Sequence, residues 1–471
     1  MRAEAAAFAG RRRRIMRKWR KAAGAALSVL LIFCMAADAF AEDVGCMEPF
    51  MMTVYADDSA SPVRAYHADY INNIYLSLSD VAMALSGTAK QFSFLYGNTK
   101  QDGEYFSVKT GEEYTAVAEG IIQQSVEERE SVWLVFKRNR LFVDGIEKKY
   151  YTYKEGGNDL FVNLTDLQLM MDLPVEAVSP EAIRIGTSGT FSPDYEALLH
   201  SGFFTGVNSY IAGDADTYSA IYAADPYSPF PIASTSKLMT YVLVQEAIER
   251  GEFSEQSVVT LSANAQRISE GANGIVPMEE GTEVTVAELL QAMLVASSNE
   301  SATALAEFMC GTEEEFVIRM NERAQQFGLE TAQFYTSNGL PVYTAGLMPG
   351  KVQNLMSTED LFSLSAYVLQ KYPQITTITG QSYASLATLK YTTANSNPLV
   401  FNMPGVNGLK TGSTTGAGYC LIATKPLTVN GVTHNIMVIL LGSETAADRG
   451  RQAEVLMRCT EEYYRAHGFA A

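Results

Sequence analysis

Ser234-Thr235-Ser236-Lys237 lies between a proline-punctuated loop (Pro226, Pro229, Pro231) and the apolar run Leu238-Met239-Thr240-Tyr241-Val242-Leu243-Val244. A helix starting near Ser234 sets Ser234 and Lys237 one turn apart on the same face, so the lysine amine reaches the serine hydroxyl. Serine is a weak nucleophile until an adjacent base takes its proton, and a neutral lysine does this. The helix N-terminus adds a positive field and free N–H groups suited to a developing oxyanion. Alone, Ser-x-x-Lys is a common tetrapeptide, more often a capping serine beside a solvated lysine than a catalytic pair. Its weight depends on what lies further along the chain.

Two motifs follow in order. Ser297-Ser298-Asn299 comes 63 residues after Ser234, and Lys410-Thr411-Gly412 comes 113 residues after Ser297. Helix spacing is expected on both sides of the middle motif, with Leu289, Leu290, Met293 and Leu294 before it and Ala302, Leu305, Ala306 and Met309 after it. Further helices are expected over 313–327, closed by Gly328, from Ser357 onward, and over 446–467. A strand pair is expected around Tyr210-Ile211-Ala212 and Ala220-Ile221-Tyr222-Ala223. A hairpin turning at Asn430-Gly431 joins Tyr419–Thr424 to His434–Leu441. Strands flanking a helical centre predict an α+β domain with an antiparallel sheet.

Composition bounds the rest. The chain has 471 residues, which suits two or three domains, and a formal charge of -18. Residues 1–41 hold nine bases and two acids, so the remaining 26 bases and 51 acids give a body of -25. An acidic body of this kind excludes nucleic acid as a partner. The bases end at Lys21, an apolar stretch runs from Ala22 to Ala37, and Ala39-Phe40-Ala41 is a small-x-small cleavage pattern. Residues 1–41 therefore read as a signal peptide or N-terminal anchor, which puts the body outside the cytoplasm. Of the five cysteines, Cys34 falls in that stretch; Cys46, Cys310, Cys420 and Cys459 are scattered without metal spacing. One disulfide or buried free thiols are both compatible with them. No metal or cofactor is expected.

Residues 42–190 read as a small β-rich α+β accessory domain, with strands at Val132–Phe136 and Leu141–Val143 and a turn at Asp144-Gly145. A faint repeat relates 74–82 to 160–167: each copy is a strand followed by Ser79-Asp80 or Thr165-Asp166, residues suited to capping a short helix. Gly156-Gly157-Asn158-Asp159 is the expected turn before the second copy. The pattern is loosely similar to copper amine oxidase N-terminal-like modules, which implies a scaffold or wall-associated role. It implies no copper, since His67 is the only histidine in the segment. A junction containing Gly186, Gly189 and Pro193 leads to the catalytic domain, expected over 194–471.

The three motifs together match the set shared by class A β-lactamases and penicillin-binding proteins, with Ser298 where the middle motif has Asp. More specifically, residues from about 205 to 465 resemble serine-type D-alanyl-D-alanine carboxypeptidases, the low-molecular-mass penicillin-binding proteins. The likeness is carried by 232–240, Gly408-Leu409-Lys410-Thr411-Gly412-Ser413-Thr414, Ala417-Gly418-Tyr419-Cys420, and by Phe316, Met320, Asn321, Ala324 and Gly328. The resemblance implies a β-lactamase/DD-peptidase-like fold and hydrolysis of the terminal D-Ala-D-Ala bond of peptidoglycan stem peptides, with β-lactams as inhibitors. It implies Ser234 as nucleophile, Lys237 as base with its pKa lowered by burial and by Lys410, and Ser297 as proton relay. Asn299 then holds the substrate amide or Lys237. Lys410, Thr411, Gly412 and Ser413 bind the terminal carboxylate, and the N–H groups of Ser234 and Ser413 form the oxyanion hole.

Two departures are plain. Ser413 stands where the family often has His, and the turn near Tyr218-Ser219 lacks the usual glycine. A class A β-lactamase needs a glutamate-held water, and no Glu-x-x-x-Asn loop lies between Asn299 and Lys410. A non-turnover wall-binding or β-lactam-sensing protein would not need every motif residue intact. A Ser-His-Asp hydrolase is excluded, because His67, His200, His434 and His467 all lie outside the motifs. Association with the cell wall or membrane surface is the expected setting.

Overall fold

The computed structural model describes residues 43–57, 59–68, 74–99, 103–114, 132–136, 139–155, 159–343 and 350–469. The expected export signal or anchor over 1–41, with Cys34, and the expected turn at Gly156-Gly157-Asn158 lie outside these residues. At the centre of the C-terminal part is a five-stranded antiparallel sheet in the order Ser219–Ala224, Ser209–Asp214, Val432–Ser443, Gly418–Val429, Gly408–Thr414. The expected hairpin is its centre. Asn430 and Gly431 both take positive φ, the geometry a tight two-residue hairpin turn requires.

Both faces of this sheet are buried, and the period of two divides its side chains cleanly. Ile211, Ile422, Met437, Ile439 and Leu441 point into one core. Tyr210, Ala212, Leu421, Ala423, Ile436, Val438 and Leu440 point into another. The first core is roofed by helices, chief among them Lys237–Glu249, whose residues Leu238 to Val244 include no exposed position. A helix apolar all round has to be central, and this one carries the second residue of the opening motif. The second core is closed by the helix Ala446–His467 through Ala453, Leu456, Met457 and Tyr464.

The N-terminal part has an eight-stranded mixed sheet and a separate four-stranded one. The two copies of the repeat lie side by side: Ile74–Ser77 pairs antiparallel with Asp159–Asn163 through Phe161↔Ser77, Val162↔Leu76 and Asn163↔Tyr75. Each strand leads into a short helix, Leu78–Ala84 or Leu164–Met171. The caps sit earlier than expected. Ser77 accepts from the Asp80 N–H and Asn163 from the Thr165 N–H, which places Asp80 and Asp166 inside the first turn. Their carboxylates are thereby free to take arginines: Asp80 binds Arg64, and Asp166 binds Arg451 on the helix Ala446–His467.

That helix belongs to two cores. Val455 and Cys459, four residues apart and so on one stripe, insert into the core of the N-terminal part. Around them Glu454 accepts from the Tyr150 hydroxyl at 3.1 Å, and Arg458 donates to the Leu169 carbonyl at 3.1 Å. A second contact joins the backbone N–H of Lys149 to Asn402 Oδ1 at 2.7 Å. Cys310, Cys420 and Cys459 are free thiols, the last two buried.

Candidate active site

Ser234 lies on a 3-10 turn, Ala233–Ser236, that runs straight into the helix Lys237–Glu249. The sequence reading expects an α-helix from Ser234. The tighter turn suits the chemistry better, because residues three apart eclipse on a 3-10 helix. Lys237 Nζ therefore sits 2.7 Å from Ser234 Oγ. Ala233 opens the turn at φ 47°, a left-handed conformation that is costly for a residue with a Cβ. Thr235 and Ser236 spend their hydroxyls on the carbonyls of Ile232 and Ala233, so Ser236 is not a competing nucleophile.

Lys237 is fully buried. Its amine has two further partners: Asn299 Oδ1 at 2.8 Å and the Asn338 carbonyl at 2.6 Å. Burial pushes its pKa down to about 7, while Glu300 and Glu313 pull in the opposite direction. The sequence reading gave Lys410 a share in this shift. The burial it expected is the cause and Lys410 adds nothing at Lys237. The influence between the two lysines is felt at Lys410, whose pKa is held well below the usual value by burial, by Lys237 and by Arg449.

The middle motif falls where one helix ends and another starts. Ala292–Ala296 forms a π-turn, Ser297 takes φ 67°, and Asn299–Cys310 begins at once. The left-handed residue turns the chain so that the Ser297 hydroxyl accepts from Lys410 Nζ at 2.7 Å. Ser298, in place of Asp, caps the new helix by accepting from the Ser301 N–H. Asn299 follows in the first turn, its Oδ1 on Lys237 and its Nδ2 donating to the Asn273 carbonyl at 2.7 Å.

The third motif is on the edge strand Gly408–Thr414. Its inner neighbour is Gly418–Val429, and its free side faces the 3-10 turn of Ser234. Gly412 makes the approach: a Cβ there would stand 2.9 Å from both the Ile232 carbonyl and the Ser234 nitrogen. Lys410 also donates to the Thr411 carbonyl at 2.8 Å, and the Thr411 hydroxyl bonds Ser396 Oγ at 2.6 Å. Ser413 is exposed, next along the strand.

Ser234, Lys237 and Asn299 thus form one hydrogen-bonded group and Ser297, Lys410 and Thr411 a second, with the Lys237 charge felt at Lys410. The sequence reading misses three members. Asn338 supplies the carbonyl that meets both Lys237 and Ser234, the latter at 3.3 Å. Ser396 holds Thr411. Gly339, at φ 87°, allows the 337–340 segment to press on Ala233, whose carbonyl would lie 2.1 Å from a Cβ. The dipeptide Asn338-Gly339 is a turn signal, but a turn signal does not say which distant groups the carbonyl meets.

Comparison with known proteins agrees with this arrangement. The family model described as D-alanyl-D-alanine carboxypeptidase matches residues 205–444. The chain is 33% identical over 257 residues to the D-alanyl-D-alanine carboxypeptidase DacF of Bacillus subtilis, covering 54% of this chain and 62% of that protein. It is 28% identical over 278 residues to DacD of Escherichia coli, covering 58% of this chain and 66% of the relative. Both matches thus span about two thirds or less of the relative. Among solved structures, the peptidoglycan synthesis regulatory factor PBP3 from Streptococcus pneumoniae superposes with a TM-score of 0.50 at 27% identity, over 55% of this chain and 72% of that one. The chain belongs to the D-alanyl-D-alanine carboxypeptidase family.

Proposed function

We propose that this chain hydrolyses the terminal D-Ala-D-Ala bond of peptidoglycan stem peptides through an acyl-enzyme on Ser234, and that β-lactams acylate the same serine. The observation that carries the reading is the 2.7 Å approach of a fully buried Lys237 amine to Ser234 Oγ. With its pKa near 7, a large fraction of that amine is neutral at physiological pH. A neutral amine has two N–H groups and one lone pair. Asn299 Oδ1 and the Asn338 carbonyl take the two N–H groups, which leaves the lone pair for the serine proton.

The steps follow from this placement. Ser234 Oγ bonds to the carbonyl carbon between the two D-alanines as its proton passes to Lys237. The N–H groups of Ser234 and Ser413 receive the oxyanion. The C–N bond then breaks as the departing D-alanine nitrogen takes up, through Ser297 as relay, the proton that Lys237 received, and water hydrolyses the ester. Lys410, Thr411 and Ser413 bind the terminal carboxylate, with Gly412 giving the strand its close approach. Asn299 holds Lys237.

We place the enzyme outside the cytoplasm, at the cell wall or membrane surface, with 42–190 as an accessory domain, 194–471 as the catalytic domain and 1–41 as an export signal or anchor. No helix among the described residues is long and apolar enough to cross a membrane. The test is D-alanine release from a peptide ending in D-Ala-D-Ala, together with penicillin labelling of the wild type and Ser234→Ala. Release by the wild type, and label on the wild type alone, are expected. Unchanged labelling of Ser234→Ala would remove the nucleophile, and rapid penicillin turnover without D-alanine release would indicate a β-lactamase.

A further inference from the structure

We propose that Glu313 is a positioning residue for the Ser234–Lys237 pair: its carboxylate grips the Ser337-Asn338 segment and so aims the Asn338 carbonyl at both side chains. The proposal rests on the acyl-transfer reading and deepens it. The Asn338 carbonyl lies 2.6 Å from Lys237 Nζ and 3.3 Å from Ser234 Oγ. If it moved, the amine would lose one of the two acceptors that direct its lone pair. Asn338 cannot fix this carbonyl by itself, since its side chain is used elsewhere: Oδ1 takes the Leu340 N–H and Nδ2 bonds Thr303 Oγ1.

One carboxylate oxygen holds the segment. Glu313 Oε1 accepts from the Ser337 N–H at 2.9 Å, from the Ser337 hydroxyl at 2.5 Å and from Asn338 Nδ2 at 3.5 Å. Thr240, one turn beyond Lys237 on its helix, donates to the Ser337 carbonyl at 2.7 Å and closes the circuit. Acids in a first helical turn usually serve the helix dipole from solvent, and Glu314 and Glu315 do stand exposed. Glu313 is turned inward. The N-cap is supplied independently by Thr312, which accepts from the Glu315 N–H, so the helix does not need Glu313 for that purpose.

The charge matters as well as the grip. The charged groups facing Lys237 are Glu300 from the helix Asn299–Cys310, Glu313 from the helix Glu313–Gln326 and Lys410 from the strand Gly408–Thr414. Both carboxylates favour the protonated amine. Removing one of them favours the neutral base and shifts the acid limb of the rate profile to lower pH.

The experiment is the rate of acylation by a fluorescent penicillin, followed as a function of pH on the full chain, for the wild type, Glu313→Gln, Glu313→Ala and Ser337→Ala. Ser234→Ala is the unlabelled control, and thermal unfolding is run on each variant. Glu313→Ala loses grip and charge, and its rate is expected to fall about 10- to 100-fold, as for a small misplacement of catalytic groups. Glu313→Gln keeps an acceptor and is expected to lose less rate but to show its acid limb at lower pH. Ser337→Ala removes one of the three bonds and is expected to slow acylation without moving the limb. A purely structural role for Glu313 would lower unfolding temperatures and leave the limb in place. That result, or wild-type rates in Glu313→Gln and Ser337→Ala, overturns the proposal even if Glu313→Ala fails to fold. Absence of label on the wild type would instead overturn the acyl-transfer reading.

Discussion

Arg451 and Asp166, 285 residues apart, form a two-pronged ion pair: Nε and Nη2 of the arginine each donate to a different carboxylate oxygen at 3.0 Å. Their side chains are 3% and 4% exposed. Burial works against the guanidinium charge, but Asp166 and Asp448 outweigh it and raise the pKa further. The pair sits where the helix Ala446–His467 passes between the catalytic sheet and the N-terminal sheet. The N-terminal part is therefore fixed against the C-terminal sheet through this helix and not strung on a linker.

Arg451→Ala should destabilise the protein by about 3–5 kcal/mol, because it leaves Asp166 buried without a counter-charge. The double substitution Arg451→Met with Asp166→Leu should recover part of the loss, since it removes the buried unpaired Asp166, while Asp448, also deprived of Arg451, keeps the rest. Urea unfolding of the three proteins checks this. A loss under 1 kcal/mol for Arg451→Ala alone would mean that water reaches Asp166.

The same helix carries a group whose titration opposes docking at neutral pH. Glu454 is fully buried against Tyr150, and burial raises its pKa to about 6. Between the unfolded value near 4.3 and 6 the folded chain holds the extra proton, so this contribution is present in full below about 4.3 and is lost as pH rises through 6. Glu454→Gln should remove that dependence and stabilise the protein at pH 7 by about 2 kcal/mol. Thermal unfolding at low and neutral pH, wild type against variant, measures it. Equal stability of the two proteins at both pH values would rule it out.

How much of this could be read in advance depends on which link carried each feature. The three motifs were legible because they are made of particular side chains, Ser234, Lys237, Ser297, Asn299 and Lys410, in a fixed chain order, and the fold gathers these into two hydrogen-bonded groups. The sheet was legible because its strands alternate between two cores and its central turn demands Asn430-Gly431. Asn338 was not, because it acts through a carbonyl that any residue possesses. Glu313 was hidden in a run of three acids that differ only in the direction the folded helix turns them. The Arg451–Asp166 pair has no local pattern at all, although the repeat that presents Asp166 was visible. Burial of Lys237 was expected from the resemblance, but the added share assigned to Lys410 was not borne out, because a motif does not show which charged groups the fold sets against the amine.

Gly412→Ala tests the contact between the third motif and the nucleophile. The added Cβ would meet the Ser234 nitrogen and the Ile232 carbonyl at 2.9 Å and Ala233 Cβ at 3.1 Å. Backbone atoms yield little, so the edge strand has to retreat from the turn. Its φ is not in the left-handed region, so the effect is steric and local. Penicillin acylation should slow by about 100-fold, the scale of a displacement of about 1 Å. The unfolding midpoint should change far less. A wild-type acylation rate would show that the strand and the turn can separate without consequence.

Lys237 makes the pH dependence of the reaction a direct readout of the site. Below about pH 7 the buried amine is protonated and has no lone pair to offer, so single-turnover acylation should fall about tenfold per pH unit on the acid side. Above that value the rate should level off. Stability carries the same signature with a defined sign. From about pH 7 up to the unfolded value near 10.4 the unfolded chain holds a proton on this lysine that the folded chain lacks, so stability rises with pH across that window. Lys237→Arg keeps a charge that never leaves at these pH values, and it should abolish acylation and flatten the stability profile over the same range. An acid limb nearer 10 in the wild type would mean that the amine is solvated, and the base would then have to be sought elsewhere in the Ser234 network.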